Sequence, residues 1–260
     1  MGDAICLSED ESVLLASDIH LSAEDPDLTQ LFISWLDGAR AMRPTWLMLL
    51  GDLVDVWVGD DQIAATDPTA LPWPALRSAL AAHLDQGTAI GIMVGNRDFL
   101  MGEAAAKSLG ATVLDEFVRL RHPAVGKTLL CHGDQLCLED TDYQAFRSLV
   151  RAPDWQKAFL SRDLADRLEQ ARLLRMRSEH DKQPKAAQIM DIAPTAAMAA
   201  LDAHDCGLLI HGHTHRPGQF SLPDGRTRWV LPDWGTPPSR RGGGLLIDGT
   251  GIHAKPLLQG

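Results

Sequence analysis

Five times along this chain a short apolar run stops directly at a cluster of Asp, His or Asn. Residues 13–17 lead into Asp18-Ile19-His20, residues 46–50 into Gly51-Asp52, and residues 89–94 into Gly95-Asn96-Arg97-Asp98. Residues 127–131 lead into His132-Gly133-Asp134, and residues 207–210 into His211 and then Gly212-His213-Thr214-His215. Apolar runs this short fit buried strands. Amphipathic stretches separate them. Asp25-Pro26 opens a helix with Asp as N-cap and Pro in the first turn, and Leu28, Leu31, Phe32, Trp35, Leu36 and Ala39 form its apolar face. Leu76, Ala79, Leu80, His83 and Leu84 make a second face of the same period. Buried strands alternating with helices predict an α/β chain, in which ligands gather just outside the carboxyl ends of the strands. Five clusters of metal-ligand residue types at five such ends converge on one hollow. Singly each is weak, since Gly-Asp after a strand usually marks a turn or cap. Together and in this order they point to metal chemistry.

Other features bound the reading. Hydrophobic residues make up 45% of the 260, enough for a real core, and the formal charge of −11 argues against general affinity for nucleic acid. Cys6, Cys131, Cys137 and Cys206 form no C-x-x-C pair, which fits a reducing compartment. No signal peptide opens the chain and no apolar run approaches the roughly 18 residues of a spanning helix, so the expected location is the cytoplasm. Turn signals at Pro223-Asp224-Gly225 and Asp248-Gly249-Thr250-Gly251 predict hairpins and an antiparallel last third. Residues 151–185 break the βα rhythm. They are helical in composition, bear Trp155, Phe159, Leu164 and Leu168, and hold nine Lys and Arg against six Asp and Glu in an acidic chain. This segment reads as an inserted helical cap, with residues 1–150 and 186–260 as the core.

The five blocks resemble those of the calcineurin-like metallophosphoesterases, whose pattern runs D-x-H, G-D-x-x-D, G-N-H-[DE], H-G and G-H-x-H. The resemblance implies a four-layer α-β-β-α metallophosphoesterase sandwich holding two divalent transition metal ions. By position, Asp18, His20 and His215 bind one ion, Asn96, His132 and His213 the other, and Asp52 bridges. A bridging carboxylate holds two cations about 4 Å apart, and mixed nitrogen and oxygen ligands suit Mn, Fe, Co or Zn. Asp55, Asp98 and Asp134 read as outer groups that orient histidines or backbone, and His211 as a packing or outer histidine.

Arg97 departs from the family pattern, standing where a histidine acid is usual. Its planar fork suits two phosphate oxygens, which favours a phosphate leaving group and so a diphosphate substrate. Gly95-Asn96-Arg97-Asp98-Phe99-Leu100, Leu136-Cys137, Asp140, Tyr143 through Arg147, Ile189-Met190-Asp191 and His211 through Pro217 are similar to one branch, the UDP-2,3-diacylglucosamine diphosphatases of lipid A biosynthesis. That branch implies hydrolysis to UMP and 2,3-diacylglucosamine 1-phosphate by water attack on the α-phosphorus, with Mn²⁺ favoured. It implies contacts of Asp140, Ser178, Lys182 and Lys185 with a UDP-linked lipid, with Asn96, Arg97 and His213 at the phosphates. Lys182 replaces a common Asn of the branch. The expected chemistry then rests on Asp52, Arg97 and His213, and the basic cap is expected to meet the inner-membrane surface peripherally, from the cytoplasmic side. Two alternatives stay open: a soluble nucleotide or dinucleoside polyphosphate pyrophosphatase or phosphoprotein phosphatase of the same superfamily, and a metal-free scaffold.

Overall fold

The computed structural model describes residues 4–64, 72–182 and 191–257, with side chains except for 175–182. The strands are β1 (Ile5–Cys6), β2 (Val13–Ala16), β3 (Trp46–Leu50), β4 (Ala89–Met93), β5 (Thr112–Val113), β6 (Phe117–His122), β7 (Gly126–Cys131), β8 (Leu208–His211), β9 (Gly218–Ser221), β10 (Thr227–Val230), β11 (Gly243–Asp248) and β12 (Gly251–Pro256). The helices are α1 (Pro26–Ala39), α2 (Trp73–Leu84), α3 (Glu103–Ser108), α4 (Thr141–Val150), α5 (Pro153–Leu160), α6 (Leu164–Lys182) and α7 (Pro194–Ala203). One sheet is ordered β12-β11-β2-β3-β4-β5 and the other β1-β6-β7-β8-β10-β9.

Strand alternation builds the layers. In β2, Val13 and Leu15 face the cluster that also holds Met48, Met93, Leu130 and Ile210, drawn from both sheets. Leu14 and Ala16 face the opposite way, into a cluster with Phe32 and Leu36 of α1 and Leu76 and Leu80 of α2. Leu209 of β8 turns outward to Ala197 and Leu201 of α7. Both faces of each sheet are thus covered, which explains continuous apolar strands where a solvated sheet would alternate. Helix, sheet, sheet and helix stack as four layers, the predicted sandwich. Asp25 caps α1 as expected, its Oδ1 accepting from the Leu28 amide at 2.9 Å.

The last third is mixed, which corrects the antiparallel expectation. The two hairpins form, β9 with β10 and β11 with β12. However, β10 runs parallel to β8 and β8 parallel to β7. After β8 the chain runs antiparallel to it as β9 on the sheet edge and returns as β10 between β8 and β9. The hairpin turn is local, so the sequence shows it, whereas the position of β10 is a tertiary choice.

The helical excursion begins at Thr141, ahead of the expected residue 151. Asp140 is the N-cap of α4, accepting from the Tyr143 amide at 3.1 Å. Phe159 is buried and Trp155, Leu164 and Leu168 pack beside it on the α1–α2 cluster. Trp155 stacks on Phe159 with ring centroids 4.8 Å apart. Near the start of α6, buried Arg167 donates to the Val58 carbonyl at 2.6 Å and pairs with Asp61. That carbonyl lies on the segment leading away from the Gly51-Asp52 block, so Arg167 ties the excursion to the core. Arg167→Met should strand a buried acceptor and cost about 1–3 kcal/mol, read by urea unfolding. A change within experimental error would show that α6 is held by apolar packing alone.

Candidate metal centre

All five polar blocks emerge at one end of the sandwich, and backbone hydrogen bonds lace them together. The Asp18 amide donates to Gly51 O at 3.1 Å and the His20 amide to Asp52 O at 2.9 Å. The His213 amide donates to both oxygens of Asp18, at 3.0 and 2.9 Å, and the Arg97 amide to Asp52 Oδ1 at 2.8 Å. Asp18, His20, Asp52, His213 and His215 all adopt left-handed backbone, with φ between 53° and 63°. Non-glycine residues reach that region at a cost, and they do so chiefly where the surroundings over-determine a functional geometry. Gly95 and Gly212 permit the close approach of the loops. A Cβ on Gly95 would collide with the Asp52 carboxylate, and one on Gly212 with Ser17 and Asp18.

Two groups of donor atoms result. Those of Asp18, His20 and His215 lie within 4.8 Å of one another, as do those of Asp18, Asp52 and His132. Asp52 Oδ2 stands 3.9 Å from His20 Nε2 and 3.6 Å from His132 Nε2, between histidines of the two groups. Asn96 Oδ1 lies 3.1 Å from His132 Nε2 and 2.9 Å from His213 Nδ1. The structure therefore brings all seven expected ligands to one hollow, and it places Asp18 in both groups. His211 stands apart from them, packed against Gly133 with Nδ1 2.8 Å from Gly212 O.

The outer groups explain the orientations. His132 Nδ1 lies 2.9 Å from Leu50 O, so an Nδ1 proton is donated there, and Nε2, which faces Asp52, is the nitrogen that can offer its electron pair to a cation once it gives up its own proton. Asp98 is wholly buried and accepts four amides, from Gly95, Leu53, Asp52 and Val54, at 2.7 to 3.4 Å. It shapes backbone. Asp134 accepts from Tyr143 Oη at 2.6 Å and Arg147 Nε at 2.8 Å. Asp55 Oδ1 is 3.9 Å from His20 Nδ1. Asp233 escaped the sequence reading: its Oδ2 sits 3.4 Å from His215 Nδ1 and accepts from Arg241 Nε at 2.6 Å. It too follows a strand end, that of β10, which was the available signal.

The electrostatics favour cations. Burial pushes the Asp52 carboxyl well up, with His132 opposing. Burial also resists ionisation of Asp18, yet the hydrogen bond from His215 and nearby imidazoles hold it below the usual range. Burial drives His20 down to about 3 and His213 down to about 3, so both present neutral rings. Burial acts against the charge on His132 as well, but the carboxylates of Asp52, Asp18 and Asp134 outweigh it and raise its pKa. Both nitrogens of His20 are buried without a hydrogen-bond partner among the described residues. Orphaned imidazoles beside buried carboxylates are donors awaiting positive charge, so the residues fit two metal ions.

Arg97 is half-buried, and its guanidinium makes no hydrogen bond or ion pair with the described residues, though its charge is felt at His20. Asp140 is engaged as a helix cap. Ser178 and Lys182 lie on α6 without described side chains, and Lys185 falls outside the described residues.

Residues 12–217 match the calcineurin-like phosphoesterase family. A UDP-2,3-diacylglucosamine hydrolase of Bordetella pertussis is 43% identical over 94% of this chain and 95% of its own length. Proteins of the same name from Chromobacterium violaceum and Pseudomonas paraeruginosa are 41% and 39% identical, covering 93% and 95% of this chain and 97% and 99% of theirs. Among solved structures, a dimetal phosphatase from Danio rerio shares the fold, with a TM-score of 0.51 at 14% identity over 96% of this chain and 97% of its own.

The raised pKa values of Asp52 and His132 make metal binding compete with protons. Affinity should rise with pH through the neutral range as these groups release them, and calorimetry in buffers of different ionisation enthalpy should show proton release. Asp52→Ala should weaken both ions together. PH-independent binding, or loss of a single ion, would count against this shared carboxylate.

Proposed function

Because the chain belongs to the calcineurin-like phosphoesterase family, we propose that this metal-dependent hydrolase cleaves the diphosphate of UDP-2,3-diacylglucosamine. The products would be UMP and 2,3-diacylglucosamine 1-phosphate. The carrying observation is a guanidinium without an ion pair among the described residues, Arg97, at the rim of a carboxylate–imidazole centre. The names and coverage of the relatives support the same substrate.

Asp18, His20, Asp52, Asn96, His132, His213 and His215 would hold the two ions, with manganese the favoured metal. Bound there, the ions would supply Lewis acidity toward the phosphoryl oxygens and the attacking water. Arg97 would clamp two oxygens of the diphosphate, its backbone already fixed to Asp52 by the 2.8 Å hydrogen bond. A guanidinium holds its proton, so it neutralises charge on the leaving phosphate without acting as an acid. His213, neutral and held by its backbone to Asp18, would face the same phosphates. Attack on the α-phosphorus would leave UMP as the nucleotide product.

Residues 151–185 would form the lipid-binding part of a cap on a core of residues 1–150 and 186–260. Support comes from where apolar surface remains open. Of the seven large exposed hydrophobics among the described residues, Leu138, Phe146, Leu149, Leu160, Leu173 and Leu174 lie on or beside α4 to α6, and Phe220 lies on β9. Acyl chains gain about 0.8 kcal/mol per buried CH₂, so such a surface favours a lipid and peripheral contact with the cytoplasmic face of the inner membrane. Among the described residues no helix is long and apolar enough to cross a membrane.

Turnover of the lipid should exceed that of acyl-free UDP-glucosamine by about 100-fold or more in kcat/KM, the scale set by burying a few methylenes. In water labelled with heavy oxygen the label should enter UMP. Equal turnover would remove the lipid assignment, and label in the sugar phosphate would reverse the binding direction. Arg97→Ala should cost about 2–4 kcal/mol of transition-state stabilisation, with Arg97→Lys recovering part. Wild-type kinetics in the lysine variant would exclude a two-oxygen clamp.

A further inference from the structure

The backbone from Gly95 to Arg97 is gripped from several sides. The Gly95 amide donates to Asp98 Oδ1 at 2.7 Å, and the next-but-one amide, Arg97, donates to Asp52 Oδ1 at 2.8 Å. The Gly95 carbonyl accepts from Arg151 Nη2 at 3.0 Å. This last contact differs in kind. Asp98 and Asp52 belong to the loops of the centre, whereas Arg151 is the C-cap of α4, the first helix of the excursion.

Arg151 is itself fixed. Its Nη1 donates to Glu116 Oε1 at 3.0 Å, its Nη2 lies 3.7 Å from Asp134 Oδ2, and its guanidinium stands over the Phe99 ring at 5.8 Å. Arg147, a turn earlier on α4, donates to the same two carboxylates, at 2.8 Å to Asp134 and 2.6 Å to Glu116. Two guanidinia and two carboxylates thus make a charge-balanced network, buried at Asp134 and open to solvent at Glu116. It joins α4 to the loop after β7, which carries His132, and to the loop after β4, which carries Asn96. A bidentate fork can serve Glu116 and the Gly95 carbonyl at once, and a lysine ammonium cannot reproduce that geometry. The Gly95 carbonyl belongs to the peptide plane that leads into Asn96, so its anchor sets where the Asn96 amide oxygen points. That oxygen lies within 3.1 Å of both His132 Nε2 and His213 Nδ1.

We propose that Arg151 is a positioning residue that aims Asn96 at the His132–His213 half of the centre and couples that half to the helical excursion. The proposal rests on reading Asn96 as a metal ligand. Outer groups of this kind change metal affinity without touching the metal.

The test uses the metal-depleted full-length protein titrated with Mn²⁺, following stoichiometry by calorimetry and the magnetic coupling of the ion pair by electron paramagnetic resonance. In Arg151→Met, which keeps the stem over Phe99, one ion should bind as in the wild type. The other should weaken by about 10- to 100-fold, with loss of coupling at limiting metal. Arg151→Lys should recover part of it and carries the test if the methionine variant does not fold. Wild-type binding of both ions in the variants, or equal weakening of both alongside a fall in Tm, would overturn the positioning role. Asn96→Ala, measured in parallel, separates the two layers. If it binds both ions normally, the ligand reading fails and the proposal with it. If it loses one ion while the Arg151 variants lose none, only the proposal fails.

Discussion

Asp18 and Asp52 are almost wholly buried in one hollow, and two carboxylates there cannot both ionise without positive charge between them. Much of the rest answers that constraint. The loops cross close enough for backbone amides to reach Asp18 and Asp52, which requires glycines at the crossings and left-handed backbone at five site residues. Imidazoles supply neutral donors, because burial holds His20 and His213 unprotonated. Cations complete the balance.

Two other buried acids in the same neighbourhood, Asp98 and Asp134, are neutralised differently. Asp98 is surrounded by backbone amides, and Asp134 by a tyrosine hydroxyl and two arginines. One carboxylate type therefore does three jobs, cation donor, loop organiser and helix anchor, according to what its surroundings offer. The arginines that anchor Asp134 come from the excursion, as does Arg167 at the Val58 carbonyl. The helices that carry the open leucines are thus joined to the core by polar bonds at two separate places, each adjoining a loop of the centre. Through these bonds α4 and α6 are tied to the backbone of the loops that shape the hollow.

Much of this was legible in the residues. Periodicity placed β2, β3, β4, β7 and β8, the Asp25-Pro26 start of α1, and both late hairpins, because these depend on neighbours within a few positions. The blocks at the strand ends, read by their resemblance to a family pattern, pointed to the seven side chains that the structure brings to one hollow. Asp98 and Asp134 were recognised as supporting groups, though not what they support.

What only the tertiary structure decided is the set of relations between blocks distant in the chain. The chain order shows that Asp18 and Asp52 follow strands, but the crossing of their loops puts Asp18 in both donor groups. Asp233, itself paired with Arg241, reaches His215 from the end of β10, which enters the sheet parallel to β8, a position that no local turn signal specifies. The partners of Arg147 and Arg151 are set only when α4 is laid against the loops after β4 and β7. The physical reason is one of range. Strand, turn and cap preferences are settled by short segments of backbone and by the burial of one face. Which buried charge meets which partner is settled by the packing of whole layers, after the sequence neighbours have had their say.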